Sequence, residues 1–216
     1  MDHLLETRHV ALRSISDAQH DLITVTQARY LLGSSSAALS LANSADWERV
    51  SKVLFRRRGS ARTFQQRCLA AVLDLGGDTV VSHRSALELF ATDPVPEVFD
   101  DDGTPQTPCS TLPVHVSTTS TKRRPDALAV VHRVAALPDR WRTVQRGIPV
   151  AAPALIALQM FSCEPVAEAA AVADDLRARG LVRTGDLEAV VEDLGERGRS
   201  GTGPLRVYLQ DSRARR

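Results

Sequence analysis

The chain has 216 residues, with 27 Lys plus Arg set against 26 Asp plus Glu, and a formal net charge of +1. That balance excludes a histone-like polycation, so any nucleic-acid contact must come from a local patch. Hydrophobic residues make up 43% and charged residues 25%, which excludes disorder of the whole chain; aromatics are only 4%, so the core must rest on Leu, Val, Ile and Ala.

No apolar run approaches the roughly 20 residues needed to span a bilayer. The segment Met1–Arg13 mixes acids, bases and His and lacks the apolar stretch of a secretory signal. A cytoplasmic protein is the expectation. Cys68, Cys109 and Cys163 lie far apart, with no CxxC pair. They are expected to be reduced thiols, two of them on helix faces, with neither a disulfide framework nor a structural zinc site. Lys52 and Lys122 are the lysines; all other basic residues are Arg. With abundant Ala and Val, that composition points to a high-GC bacterial coding sequence.

The elements follow in chain order. Residues 4–20 carry Leu4, Ala11, Ile15 and Ala18 on one stripe, which predicts an amphipathic helix. Asp21 to Ile23 is a short connection. Thr24-x-x-Gln27 is a capping box, opening a second helix that Gly33 stops. Ser34, Ser35 and Ser36 can each cap a third helix running to about Ala45. Trp47 to Phe55 is β-rich and turns at Ser51-Lys52, a hairpin pattern. Three short helices and a hairpin give the order of a winged helix-turn-helix over residues 1–60; an ordinary helical subdomain covered by a hairpin is the alternative.

Residues 61–212 read as a mixed α/β domain, so the fold class is α+β. A helix over 63–75 ends at Gly76-Gly77, and a short apolar stretch, Thr79 to Val81, precedes a helix from Ser82 to about Phe90. His83 at that helix start admits a catalytic role; a structural hydrogen-bonding role is the expectation. A loop fills 92–111, with prolines and the acidic run Phe99 to Gly103, which lacks the alternating ligands of a calcium loop. Strands follow at Leu112–Ser117 and Leu128–His132, separated by the basic turn Thr121 to Arg124. Thr143 to Val150 forms a hairpin turning at Arg146-Gly147. Helices are expected over Pro153–Phe161, Val166–Arg179, Asp186–Glu196 and Leu205–Gln210, with a frayed tail over 211–216.

Catalytic patterns are missing. The glycines from Gly195 to Gly203 are not followed by Gly-Lys-Ser/Thr and do not follow a strand, so they are neither a P-loop nor a dinucleotide fingerprint. There is no Gly-x-Ser-x-Gly elbow and no His-Glu-x-x-His. No carboxylate cluster with a nearby Lys stands ready for two-metal chemistry. The expectation is a protein that is not an enzyme, with no catalytic residue, no metal ligand and no cofactor.

Several short motifs then come together. They are Gln19-His-Asp-Leu-Ile-Thr24-x-x-Gln27, Trp47-x-Arg-Val50, Val81-Ser-His-Arg-Ser-Ala86, Pro113-Val-His-Val116, Val131-His-Arg133 and Gly147-Ile-Pro-Val150 with Pro153-Ala154. In this order and spacing, from about Arg13 to Leu209, the chain resembles the AbiEi-type antitoxin family of bacterial type IV toxin–antitoxin (abortive infection) systems. It is most similar to the actinobacterial form that often precedes a very-short-patch-repair-like endonuclease domain. The resemblance implies a winged helix that binds operator DNA and an α/β portion behind it. It further implies a transcriptional regulator that autoregulates an operon shared with a nucleotidyltransferase-like toxin, which would be its partner.

Three departures qualify that expectation. The third helix, Ser36 to Ala45, carries no Arg or Lys, although phosphate contacts supply most of the affinity of DNA binders. Leu155 and Gln159 stand where the family carries an Arg and an Asp. The chain also ends where the nuclease domain would begin, so no nuclease activity is expected of it. The expected DNA-contacting residues are Ser34, Ser35 and Asn43 on the third helix, Arg49 and Lys52 in the wing, and Arg56, Arg57, Arg58 and Arg62 after it. Two readings compete with the DNA-binding regulator. One is a protein-interaction module with a degenerate winged helix; the other is the non-catalytic N-terminal portion of a nuclease-like protein.

Overall fold

A computed structural model of the chain describes residues 2–91, 113–121, 128–195 and 200–214. The predicted loop 92–111, with the acidic run and Cys109, and the basic residues 122–124 lie outside the described residues. The fold is mixed α+β, built on a three-stranded and a five-stranded sheet.

The first helix, α1 (Asp2–Ala18), buries Leu12 against the small sheet. The expected connection after it is partly a strand, β1 (Leu22–Thr24). Three residues show no periodicity of their own; their hydrogen bonds go to β3 (Leu54–Arg57), with Ile23 opposite Phe55. The capping box forms as expected at α2 (Val25–Leu32). Gln27 N donates to Thr24 Oγ1 at 3.1 Å, and Thr24 N donates to Gln27 Oε1 at 2.8 Å. Gly33 ends the helix with φ +78°, where a side chain would be strained.

The third helix is shorter than predicted. It is α3 (Ser35–Ser40), followed by a 3-10 turn, Leu41–Asn43, instead of helix to Ala45. Serines are the physical reason. Ser40 Oγ donates to Ala37 O at 2.8 Å and Ser44 Oγ to Leu41 O at 2.9 Å, so hydroxyls compete for the carbonyls a longer helix would use. The hairpin pairs β2 (Trp47–Ser51) with β3 through a bulge between Arg49 and Ser51. The sheet order is β1-β3-β2. Leu12, Ile23, Ala28, Leu32, Ala38, Leu41, Trp47 and Phe55 form one core on its helical side. Leu22 and Leu54 point the other way and join the larger core. Period-two alternation thus lets one small sheet serve both cores.

α4 (Phe64–Leu75) is capped by Thr63, whose Oγ1 accepts from Gln66 N at 3.1 Å. Buried Gln66 donates from Nε2 to His20 O at 2.9 Å, tying the two parts together. The large sheet has the order β6-β5-β4-β8-β7, from β4 (Val80–Val81), β5 (His115–Thr118), β6 (Val130–Arg133), β7 (Arg142–Gln145) and β8 (Ile148–Ala151). β4 runs antiparallel to β5 and parallel to β8; β5 and β6 are parallel. The predicted β7–β8 turn falls at Arg146-Gly147, both at positive φ, which matches the right-handed strand twist.

α5 (His83–Leu89) follows β4. α6 (Pro153–Cys163) is buried at every position from Ala154 to Phe161, as a helix apolar all round must be. It packs against α5, α7 (Val166–Ala178), α8 (Thr184–Leu194) and α9 (Thr202–Ala214). α9 starts earlier and ends later than predicted, and the tail expected to fray from residue 211 is helical to Ala214. Its last turn is held by Arg213, paired with Glu188 on α8 at 2.5 Å. Cys68 is buried on α4, and Cys163, at the end of α6, is exposed; among the described residues neither is in a disulfide. Among the described residues, no helix is long and apolar enough to cross a membrane.

Candidate functional site

The expected DNA-contacting residues separate into two groups. Ser34 is used by the fold: its Oγ accepts from Ala37 N at 3.0 Å and caps α3. Ser35 is exposed in the first turn of α3, and Asn43 is exposed at the end of the 3-10 turn. Arg49 is exposed on β2 and lays its guanidinium on the carbonyls of Ser51 and Lys52, both at 3.0 Å. Lys52 is exposed in the hairpin turn, and Arg58 and Arg62 are exposed beyond β3.

Arg56, Arg57 and Arg58 do not share one face. Strand alternation turns neighbouring side chains to opposite sides. Arg56 lies opposite Glu48 across the ladder, donates to it from Nε at 2.6 Å and is only 14% exposed. Arg57 pairs with Asp17 at 2.6 Å and with Asp21. Its hydrogen bond to Asp21 outweighs the desolvation that opposes it and, with Asp17, holds the guanidinium above its ordinary pKa. These two arginines hold β3 to β2 and to the end of α1. Among the described residues, Arg49, Lys52, Arg58 and Arg62 form no ion pair.

A second cluster lies on the large sheet. His83 follows β4, His115 opens β5 and His132 lies on β6. The antiparallel register sets Val81 opposite Val116, which brings His83 beside His115. The parallel register sets His132 opposite Ser117, two residues along from His115. One ring nitrogen from each histidine lies within 4.8 Å of those from the other two. His115 Nδ1 and His132 Nε2 are 2.9 Å apart, and the His83 and His132 rings stack with centroids 3.8 Å apart.

The surroundings are built from polar side chains aimed inward. Ser82 Oγ is 2.9 Å from His83 Nδ1. Gln159 Oε1 accepts from His83 N at 3.1 Å, while Gln159 Nε2 donates to Ser117 Oγ at 3.1 Å. Ser85 Oγ accepts from His115 N at 2.9 Å. Gln159, one of the departures from the family pattern, is thus a brace of this cluster. His83 and His132 also face a cleft of about 450 Å³, bordered by Ser162 and Asp193.

Burial, and then the neighbouring His132 and His115, pushes His83 down to about 3, against a weaker pull from Glu164. His115 and His132 are also lowered, chiefly by burial. Burial thus disfavours the charged imidazolium at all three histidines. His83 is hydrogen-bonded to its neighbour Ser82, and the sheet registers place it in a group of three histidines. The signal present in the sequence was that Val81-Ser-His, Pro113-Val-His-Val116 and Val131-His-Arg133 each set a histidine beside strand-type residues.

Compared with known families and with curated proteins, the chain matches no family model and no curated sequence.

Proposed function

We propose that the chain is a DNA-binding transcriptional regulator whose first 60 residues form a winged helix-turn-helix. The observation that carries this reading is the order α1-β1-α2-α3-β2-β3 with β3 between β1 and β2. That topology sets a hairpin wing beside the second of two short, serine-joined helices. The cations left unpaired by carboxylates, Arg49, Lys52, Arg58 and Arg62, lie in or just after the wing and supply phosphate contacts. Asn43 and Ser35 are the side chains at α3 suited to base edges. The resemblance to AbiEi-type antitoxins makes the promoter of the chain's own operon the duplex to test. It also makes a nucleotidyltransferase-like toxin the protein partner to test. The chain acts without enzymatic activity in this reading, so pure protein leaves plasmid DNA intact.

A second reading, a protein-interaction module, is favoured by one observation. Tyr30 on α2 is 86% exposed and Leu39 on α3 is 47% exposed, on the helices that would meet DNA. Binding isotherms on promoter and scrambled duplexes across a salt series separate the two. DNA binding gives affinity that falls with salt and a preference that Asn43→Ala changes by roughly 1–3 kcal/mol. No affinity even at low salt defeats the DNA reading and leaves the interaction module.

A further inference from the structure

We infer that His83, His115 and His132 form a binding site for one borderline divalent metal ion of the Zn²⁺ class, with a fourth coordination position opening on the neighbouring cleft. This inference is independent of the DNA-binding reading.

The donor set comes first. Three nitrogen donors from three elements converge, and no thiolate joins them. Imidazole suits zinc, cobalt, nickel and copper; magnesium and calcium call for oxygen ligands.

Geometry comes second. Nitrogens at about 2.0–2.1 Å around a tetrahedral ion stand roughly 3.3 Å apart. The His115–His132 pair, at 2.9 Å, is slightly inside that spacing, and the widest separation is at most 4.8 Å. Side-chain shifts of about 1.5 Å or less close the distances, together with a tilt of the stacked His83 and His132 rings that points both nitrogens at one ion. In the metal-free form, one nitrogen of the His115–His132 contact must donate a proton to the other. On binding an ion, the donating ring moves that proton to its other nitrogen, so each ring keeps one N–H and presents one lone pair to the ion.

The supporting shell comes third. Ser82 Oγ lies 2.9 Å from His83 Nδ1, and in the tautomer whose Nδ1–H donates to that hydroxyl, Nε2 is left to ligate. Gln159 fixes the backbone of His83, and Ser85 that of His115. His115 and His132 sit on adjacent, hydrogen-bonded strands, so their spacing is set by the sheet. His83 and His132 border the cleft, so the position not filled by histidine faces a space that admits water or an anionic ligand.

The test starts from chelator-treated full-length chain, titrated with Zn²⁺ and followed by metal analysis after dialysis. The expected result is one tightly held equivalent. Co²⁺ in its place should give the ligand-field bands of a low-coordinate, nitrogen-bound ion. The imidazole resonances of His83, His115 and His132 should shift, with those of His9 and His20 unchanged. These wild-type readouts stand even if a variant fails to fold. Among variants, His132→Asn and His115→Asn should lose the stoichiometric ion. Ser82→Ala should weaken it roughly 10–100-fold. His9→Asn should leave it unchanged. Folded wild-type protein that holds no equivalent of Zn²⁺, or zinc held equally well by His132→Asn and His115→Asn, overturns the site and marks the three histidines as a structural stack.

Discussion

Arg57 ends β3 between two carboxylates; His132 sits on β6 between two other histidines. Both clusters join nitrogen-rich side chains to residues from distant parts of the chain, and they settle their electrostatics in opposite ways. Around β3 each inward-turned guanidinium has its counter-charge within the fold, so the cluster is complete and fastens strands together. Around β5 and β6 the imidazoles face one another, with one ring nitrogen of each converging on the others. A cluster whose charges are matched internally is part of the framework; one whose donors converge is prepared for a ligand.

The largest expected effect that sharpens this contrast is metal-linked stability. Zn²⁺ at about 100 times its dissociation constant should stabilise the chelated chain by about 2.7 kcal/mol. In a domain of this size that raises the melting temperature by roughly 2–4 °C per kcal/mol. The rise should vanish in His132→Asn, as thermal unfolding with and without Zn²⁺ will show.

On the arginine side, Arg56→Ala leaves Glu48 half-buried and removes the bond to Gln66. Urea unfolding should register a loss of about 1–3 kcal/mol. Arg58→Ala, at an exposed position, should stay within about 0.5 kcal/mol of the parent. Equal losses in the two variants would erase the distinction between framework and free cation.

If DNA is held by the free cations, the roles reverse in a salt series. Arg58→Ala and Arg62→Ala should each flatten the slope of log affinity against log salt by roughly 0.9, while Arg57→Gln leaves it nearly unchanged. A slope that responds to Arg57 as much as to Arg58 would place the duplex against the paired arginines.

The smallest effect concerns Asp78, which anchors β5 at the far end of β4. Its carboxylate accepts from Thr118 Oγ1 at 3.0 Å and Thr119 Oγ1 at 2.6 Å. Desolvation works to raise its pKa, but the bonds from Thr119 and Thr118 win and hold it below the ordinary value. The stabilisation is therefore present above the unfolded-state pKa of about 3.9 and is lost as the pH falls below it. Melting temperatures between about pH 5 and pH 3 should fall less steeply for Asp78→Asn than for the parent.

What could be read from the sequence was what is encoded locally. Thr24-x-x-Gln27 announces a helix start because both partners of the box lie within four residues. Gly33 and Arg146-Gly147 announce a stop and a turn through their own backbone angles. β1 was hidden because its three residues owe their shape to β3, some thirty positions on. The ion pairs of Arg57 are not legible in the sequence because Asp17 and Asp21 are brought to it by the return of the chain. The histidine cluster was hidden for the same reason. Its members are spelled out in three separate motifs, and only the registers of β4 with β5 and of β5 with β6 bring them together.

His83 has a backbone φ of +54°, in the left-handed region. His20, Asp21 and Arg146 share that region, whereas Gly33 and Gly147 meet it with the residue that adopts it without steric cost. At position 83 the chain keeps an imidazole instead, at a conformational penalty of order 1–3 kcal/mol that the packing around it must offset. A chain selected for stability alone would drift toward glycine or asparagine there. Position 83 is therefore a point where thermostabilising substitutions should be easy to find and should cost the protein whatever its imidazole is for.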